Sequence, residues 1–169
     1  MDVYFLWDSI GFFAPAILFI LSVLFLRHMS VFLTFYIAGT VLNTFLNIIL
    51  KLLIKEPRPS KDQKFIEIGI TNGLFISVDK FGMPSGHAQH CGFSLAFITL
   101  VFNSPFKTTL YLIITLATLM QRYLYNNHTI LQLIVGFIIG IIAGYITYLF
   151  GSKHITGNIK TKKDDYFYN

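Results

Sequence analysis

Three polar clusters interrupt an otherwise apolar chain: Lys51 with Arg58-Pro59, then Pro84-Ser85-Gly86-His87, then Arg122 with His128. Lysine and two arginines provide fixed positive charge suited to a phosphoryl group. Histidine exchanges a proton near neutral pH, so two of them offer a nucleophile and a proton donor. Taken together, the residue types point to phosphoryl transfer rather than to simple anion binding.

Each cluster has a local reading as well. Pro84-Ser85-Gly86-His87 stands where a loop becomes a helix, so free backbone amides and the helix dipole attract an anion there. Ser85 adds a hydroxyl donor, Gly86 lets the backbone approach the ligand closely, and His87 lies beside it as a proton donor. The structural alternative is an N-capping serine followed by an interfacial histidine. Arg122 and His128 are too far apart to be neighbours on one continuous helix, but Asn126-Asn127 is a break that turns both toward one point. Gln132 follows His128 by four residues, on the same helical face. It is placed to accept a hydrogen bond from one ring nitrogen and leave the other free to attack. His90, one turn beyond His87, reads as a hydrogen-bonding residue of the bundle, and His28 and His154 fall at the opposite end of their helices.

The elements that must carry these residues are membrane helices. In 169 residues, 54% are hydrophobic and 12% charged, a balance foreign to soluble domains. Uncharged or nearly uncharged stretches at Ser9 to Leu26, Met29 to Leu50, Ala88 to Ser104, Thr108 to Gln121 and Thr129 to Ser152 are candidate spans, judged against the ~20 apolar residues a crossing needs. The fourth reaches full length if Phe106 and Tyr125 join it while Lys107 snorkels toward the headgroups. The expected fold is an all-α integral membrane bundle of about five helices. It forms one domain over residues 1–152, followed by a flexible tail over 153–169. Asp2 and Asp8, in place of a basic leader, argue that the first apolar segment is retained as an anchor.

Between the second and third spans lies a polar loop, closed off from the helix before it by Pro57 and Pro59. Asn72-Gly73, flanked by Phe65 to Thr71 and Leu74 to Val78, leaves two readings open: a small hairpin over the site, or an irregular loop resting on the bilayer. Gly136, Gly140 and Gly144 recur every fourth residue, a small-residue face for close helix packing. Asn43 and Asn47, also four apart, must find interhelical hydrogen bonds, because unsatisfied amides in hydrocarbon are costly.

Composition excludes several classes. The single Cys91, inside an apolar run, rules out an intrachain disulfide framework and reads as buried packing. The net charge of +5 sits at membrane edges and in the tail, which favours a lipid partner and the bilayer over nucleic acid. No carboxylate pair or cysteine cluster offers a metal site, so no metal and no cofactor is expected, and Lys51, Arg58 and Arg122 must stabilise charge. With five spans, the end of the second, the start of the third, the end of the fourth and the start of the fifth lie on one side of the membrane, and all three clusters meet there. With the three site cations set apart, Arg27, Lys107, Lys153, Lys160, Lys162 and Lys163 on the other side outnumber Lys55, Lys61, Lys64 and Lys80, which puts the clusters outside the cytoplasm; counting the site cations erases that bias.

Lys51, six residues, Arg58-Pro59; Pro84-Ser85-Gly86-His87; and Arg122, five residues, His128 resemble the three-part signature of the type-2 phosphatidic acid phosphatase superfamily. The resemblance implies phosphoryl transfer to His128 and hydrolysis of the phosphohistidine. His87 would be the general acid, and Lys51, Arg58, Ser85, Gly86 and Arg122 would hold the phosphate. Most members carry aspartate where this chain has Gln132. That glutamine, with Glu56-Pro57-Arg58-Pro59, Phe81-Gly82-Met83-Pro84 and His128-Thr129, is similar to the dolichyl diphosphatase branch, whereas Gly86 departs from it. The branch implies a polyisoprenyl diphosphate substrate, cleaved to the monophosphate, and the endoplasmic reticulum. A broader lipid phosphate phosphatase and a catalytically silent lipid-binding protein are the competing classes. Glutamine orients an imidazole but cannot balance an imidazolium by charge, which suits a substrate with a good leaving group, such as a diphosphate.

Overall fold

The computed structural model describes residues 3–155 apart from residue 75. Six helices follow one another: α1 (Val3–Leu26), α2 (Ser30–Ile54), α3 (Ser60–Thr71), α4 (Gly86–Phe102), α5 (Pro105–Leu124) and α6 (Ile130–Lys153). A single 3₁₀ turn, Ser77–Lys80, lies between α3 and α4. All five expected spans are helices, and the expectation of an all-α membrane bundle holds. Three of them, over Asp8–Leu26, Ser30–Ile54 and Ile130–Lys153, are long and apolar enough to cross a membrane.

Periodicity dictates which faces turn inward. In α1 the buried positions Ala14, Leu18, Ser22 and Leu26 recur every fourth residue, one stripe of a helix with 3.6 residues per turn. The buried stripe of α2 runs Phe32, Tyr36, Gly39, Asn43, Asn47, Lys51, changing along the helix from aromatic to amide to ammonium. One helix face thus spans the distance from hydrophobic core to polar site. The outward faces carry Leu42, Phe45, Ile49, Leu53, Ile134, Ile138 and Ile142, an apolar girdle suited to lipid rather than water.

The central helix is α4. Ala88, Gln89, Cys91, Gly92, Phe93, Ser94, Phe97 and Ile98 are buried on it, all round its circumference, and it meets α1, α2, α5 and α6. Its closest neighbour is α6, where the small-residue face acts as expected. A Cβ on Gly136, Gly140 or Gly144 would strike the carbonyl oxygens of Ser85, Gln89 and Phe93 respectively, and a Cβ on Gly92 would strike the Phe137 carbonyl. Backbone lies on backbone along this seam, which hydrogen atoms alone permit. Around it the Tyr36 ring packs at a tilt against Phe93 and Phe97, and buried hydroxyl pairs link α2 to α4 (Tyr36–Ser94, 2.8 Å) and α1 to α5 (Ser22–Tyr111, 2.8 Å). Cys91 is fully buried, as its sequence context requires.

Two sequence expectations change. The polar loop holds neither a hairpin nor an irregular segment over Phe65 to Thr71; those residues belong to α3. Ile66 and Gly69 are buried at helical spacing. Gly73, at φ 71, closes the helix in a Schellman arrangement, with Gly73 N donating to Ile70 O (3.0 Å) and Leu74 N to Gly69 O (2.8 Å). The positive backbone angle read as a hairpin turn therefore serves as a helix exit. Phe106 joins α5 as expected, but Tyr125 caps its end instead of extending it; the Lys107 ammonium lies 3.6 Å from the Phe102 ring centre and 5.3 Å from that of Phe25. Helix α6 continues through Lys153, and most of the expected tail, residues 156–169, lies outside the described residues.

Candidate active site

Lys51 occupies the last turn of α2, which stops where Lys55 takes a left-handed conformation at φ 54. The chain then turns through Glu56 and Pro57 to Arg58. Arg58 Nε donates to the Asp79 carbonyl at 2.6 Å, and the Asp79 carboxylate lies 3.8 Å from Lys51 Nζ. The 3₁₀ turn thus bridges the two cations of the first cluster. Gly82 N donates to the Glu56 carbonyl at 2.8 Å, and Pro57 pairs with Phe81 in an isolated bridge. Gly82 itself rests on the Gln132 amide, where a Cβ would meet the side-chain oxygen at 2.5 Å.

The second cluster is fixed from two sides. Ser85 N donates to the Gln132 carbonyl (3.1 Å), and the Pro84 carbonyl accepts from Asn47 Nδ2 (3.2 Å). Ser85 caps α4, accepting from Ala88 N, so the capping alternative and the proximity of Gly86 and His87 to the site coexist. Asn47 and Asn43 find the partners that burial demands, and Gln89 links them: its side-chain oxygen accepts from Asn47 Nδ2 (2.8 Å) and its Nε2 donates to Asn43 Oδ1 (2.8 Å). A cavity of about 250 Å³ opens beside this network, lined by Pro15, Asn43, Asn47, Gly86, His87 and His90. His90 lines it, with its Nε2 buried and without a hydrogen-bond partner among the described residues.

Arg122 ends α5, and the break at Asn126-Asn127 is real. Asn126 is left-handed at φ 56, Asn127 N and His128 N both donate to the Arg122 carbonyl (3.0 and 3.3 Å), and Arg122 Nη1 donates to Asn127 Oδ1 (3.1 Å). Arg122 Nη2 lies 3.0 Å from His87 Nε2, which is also 3.1 Å from the Phe12 carbonyl. A single ring nitrogen cannot accept from the arginine and donate to the carbonyl at once, so one proton shift exchanges His87 between the two partners. The Phe12 ring lies beneath the guanidinium at 5.4 Å, and Gln121 Nε2 donates to Asp8 Oδ1 (2.7 Å). Helix α1 therefore borders the site, a role absent from the three clusters.

His128 is 3% exposed. Its Nδ1 lies 3.2 Å from Gln132 Oε1, the contact expected from their spacing. The orientation of the Gln132 amide follows from its other neighbours. Thr129 N donates to Oε1 (3.2 Å), while Nε2 donates to Glu56 Oε1 (2.8 Å) and to the Pro57 carbonyl (3.0 Å). With the oxygen fixed toward His128, the ring proton belongs on Nδ1 and Nε2 keeps its lone pair. Burial first, then the charge of Arg58, holds the imidazole well below its ordinary pKa, with Lys51 and His87 adding to the effect and Gln132 opposing it. It is neutral at pH 7, as a nitrogen nucleophile must be.

All eight residues singled out from the sequence thus gather at one end of the bundle: Lys51, Arg58, Ser85, Gly86, His87, Arg122, His128 and Gln132. Their helix ends are knitted by hydrogen bonds between segments far apart in the chain. Residues 32–155 match the sequence profile of the PAP2 superfamily.

The chain belongs to the PAP2 superfamily.

Curated relatives agree with that membership. Over 146 residues, 79% of this chain, it is 31% identical to the palmitoyl-protein thioesterase-dolichyl pyrophosphate phosphatase fusion 1 of Schizosaccharomyces pombe, covering 21% of that protein. Over 117 residues, 63% of this chain, it is 28% identical to the dolichyldiphosphatase of Saccharomyces cerevisiae, covering 46% of it. The chain accordingly spans less than half the length of either relative. No solved structure matches it. The PAP2 match leaves α1 outside, although Asp8 and Phe12 of that helix touch Gln121, Arg122 and His87. Glu56, Asp79 and Gln89 are the other site residues that sequence reasoning did not assign a role. Only Glu56 left a trace, as part of the quoted Glu56-Pro57-Arg58-Pro59.

Proposed function

We propose that this PAP2 protein is a membrane lipid phosphatase that hydrolyses a polyisoprenyl, dolichyl-type diphosphate to the monophosphate and inorganic phosphate through a phosphohistidine at position 128. The observation that carries the reading is the state of His128: neutral, with Nδ1 committed to Gln132 and Nε2 free to attack. The Nε2 lone pair forms a bond to the terminal phosphorus, the bond to the bridging oxygen breaks, and that oxygen leaves with its electron pair. Lys51, Arg58 and Arg122 offset the charge on the transferring group, aided by Ser85 and the amides at the start of α4. His87, in the tautomer that carries its proton on Nε2, protonates the leaving oxygen, and water then cleaves the nitrogen–phosphorus bond. The names of the two relatives, and a leaving phosphate monoester that departs more readily than an alkoxide, favour a diphosphate over phosphatidate.

In this reading α1, α2, α4, α5 and α6 all cross the bilayer and the site faces the lumen, in keeping with six lysines and arginines on the opposite side against four on the site side once Lys51, Arg58 and Arg122 are set apart. A cysteine placed at exposed Asn72 would react with an impermeant maleimide from the lumenal side; reaction from the cytoplasmic side alone would reverse the orientation.

Phosphate release by the purified protein from dolichyl diphosphate, undecaprenyl diphosphate and phosphatidate tests the function. The expected result is faster release from both diphosphates, at least a thousandfold loss in His128→Ala on the scale of removing a catalytic nucleophile, and an acid-labile, base-stable phosphoryl group on wild type alone. Equal rates on all three lipids would leave a broad lipid phosphatase. Lipid binding without any activity that His128→Ala abolishes would leave a silent lipid-binding protein.

A further inference from the structure

Aspartate is the usual partner of the nucleophilic histidine in this superfamily, and glutamine in its place leaves the phosphorylated imidazolium without a nearby negative charge. The structure supplies one from elsewhere. Glu56 Oε1 accepts from Gln132 Nε2 at 2.8 Å, and Gln132 Oε1 faces His128 Nδ1 at 3.2 Å. Carboxylate, amide and imidazole thus stand in one hydrogen-bonded line.

We infer that Glu56 is a positioning residue for His128, acting through the Gln132 amide in the place of the missing aspartate. The inference rests on the phosphohistidine reading above.

Three features support it. First, the amide cannot rotate without loss: reversed, its oxygen would face the Glu56 carboxylate and the Pro57 carbonyl, and its nitrogen would face Thr129 N–H. Glu56 therefore helps decide which end of Gln132 His128 meets, and so which ring nitrogen holds the proton. Second, a carboxylate pulling on the amide N–H increases the negative character of the amide oxygen, since hydrogen bonds in a chain polarise one another. No proton passes along the line. When His128 Nε2 takes the phosphoryl group the ring becomes cationic, Nδ1 keeps its hydrogen, and that hydrogen meets a more strongly accepting oxygen. Third, the carboxylate is not committed to neutralising a cation: among the described residues the one ion pair is Lys51–Asp79, while Glu56 is half-buried. Its backbone is held as well, the carbonyl accepting from Gly82 N at 2.8 Å. The groups that set the charge around His128 are then Arg58, Lys51 and His87, which oppose its protonation, and Glu56, which favours it through the amide.

Glu56→Gln isolates the charge, because its carbonyl oxygen still accepts from Gln132 Nε2. With dolichyl diphosphate, kcat is expected to fall about tenfold with KM within about twofold, on the scale of a lost contact to a developing charge. The acid limb of kcat/KM should move to lower pH, since removing a negative charge makes the imidazolium less favourable. Gln132→Glu alone should be worse, setting two carboxylates against each other. Glu56→Gln/Gln132→Glu should recover activity above that single variant, because the amide and the carboxylate have only exchanged places. Unchanged kcat and pH profile in Glu56→Gln, in an enzyme that His128→Ala silences, would overturn this inference alone. Activity surviving His128→Ala would overturn the phosphohistidine reading together with it. Should Glu56→Gln express poorly, the double variant against Gln132→Glu carries the same comparison: no recovery in a folded double variant counts against the inference.

Discussion

The two sides of the site are built on opposite principles. On one side α4 and α6 meet backbone to backbone: Gly136, Gly140 and Gly144 lie against the carbonyls of Ser85, Gln89 and Phe93. Ser85 and Gln132, the ends of that seam, are tied by a main-chain hydrogen bond. On the other side the segment from Glu56 to Gly82 reaches the site through its own side chains and loop carbonyls, Glu56 to Gln132, Asp79 to Lys51 and Arg58, with Ile68, Leu74 and Ile76 exposed. The seam fixes distances that no rotamer can alter, whereas the strap sets charge and hydrogen bonding. The phosphoryl transfer proposed for this site needs both, since a nucleophile misplaced by an ångström is as ineffective as one with the wrong proton.

The sharpest way to break this contrast is to add bulk at the seam. Gly140→Leu would force α4 and α6 apart where no side chain fits, and the expected outcome is loss of the cooperative thermal transition in detergent, beyond the ~1–3 kcal/mol typical of an overpacked core. Retention of the wild-type transition would mean that the helices are not in backbone contact.

A smaller effect probes the junction of the two regions. His128 is held below its ordinary pKa of 6.5 in the folded protein, so as pH falls below about 6.5 the unfolded chain takes up a proton that the folded chain refuses. The unfolded state then binds more protons, and folding stability declines from there toward lower pH, with no contribution above that range. Thermal stability measured from pH 7.5 to 5 should therefore decline less steeply in His128→Asn than in wild type. Parallel curves would show that the imidazole is not protected by burial.

The smallest effect belongs to the strap. Gly73→Ala puts a side chain at φ 71 with no atom near the new Cβ, so it carries only the left-handed backbone penalty of roughly 1–2 kcal/mol. A local increase in amide exchange over α3 is expected, with phosphatase turnover changed less than about twofold because α3 donates no group to His128. Turnover lost with the same substitution would make the strap as rigid a part of the site as the seam.

Much of this was legible in the chain alone. The five long helices follow from apolar stretches, the glycine spacing from its period, and the pairing of His128 with Gln132 from four residues of helix. Asn43 and Asn47 announced that they needed partners without naming Gln89. The strap was misread because Asn72-Gly73 signals only a positive backbone angle, which a hairpin turn and a helix end share. The buried positions Ile66 and Gly69 that distinguish them depend on what lies beneath α3. Phe12 and Asp8 were invisible for a similar reason: a phenylalanine in an apolar helix and an acid near its start carry no mark of the arginine they will face.

Sequence by itself determined which residues are candidates for the proposed chemistry, where the five long apolar helices lie, and that their outer faces belong in lipid. These are local properties, fixed by side-chain type and by spacing along one helix. Only the tertiary structure decided that Glu56 reaches Gln132, that Asp79 bridges Lys51 and Arg58, and that His87 lies between Arg122 and the Phe12 carbonyl. Such contacts join residues from 21 to 76 positions apart in the chain, beyond the reach of any local pattern, and the close approach of α4 and α6 that ties Ser85 to Gln132 depends on the absence of side chains at Gly92, Gly136, Gly140 and Gly144.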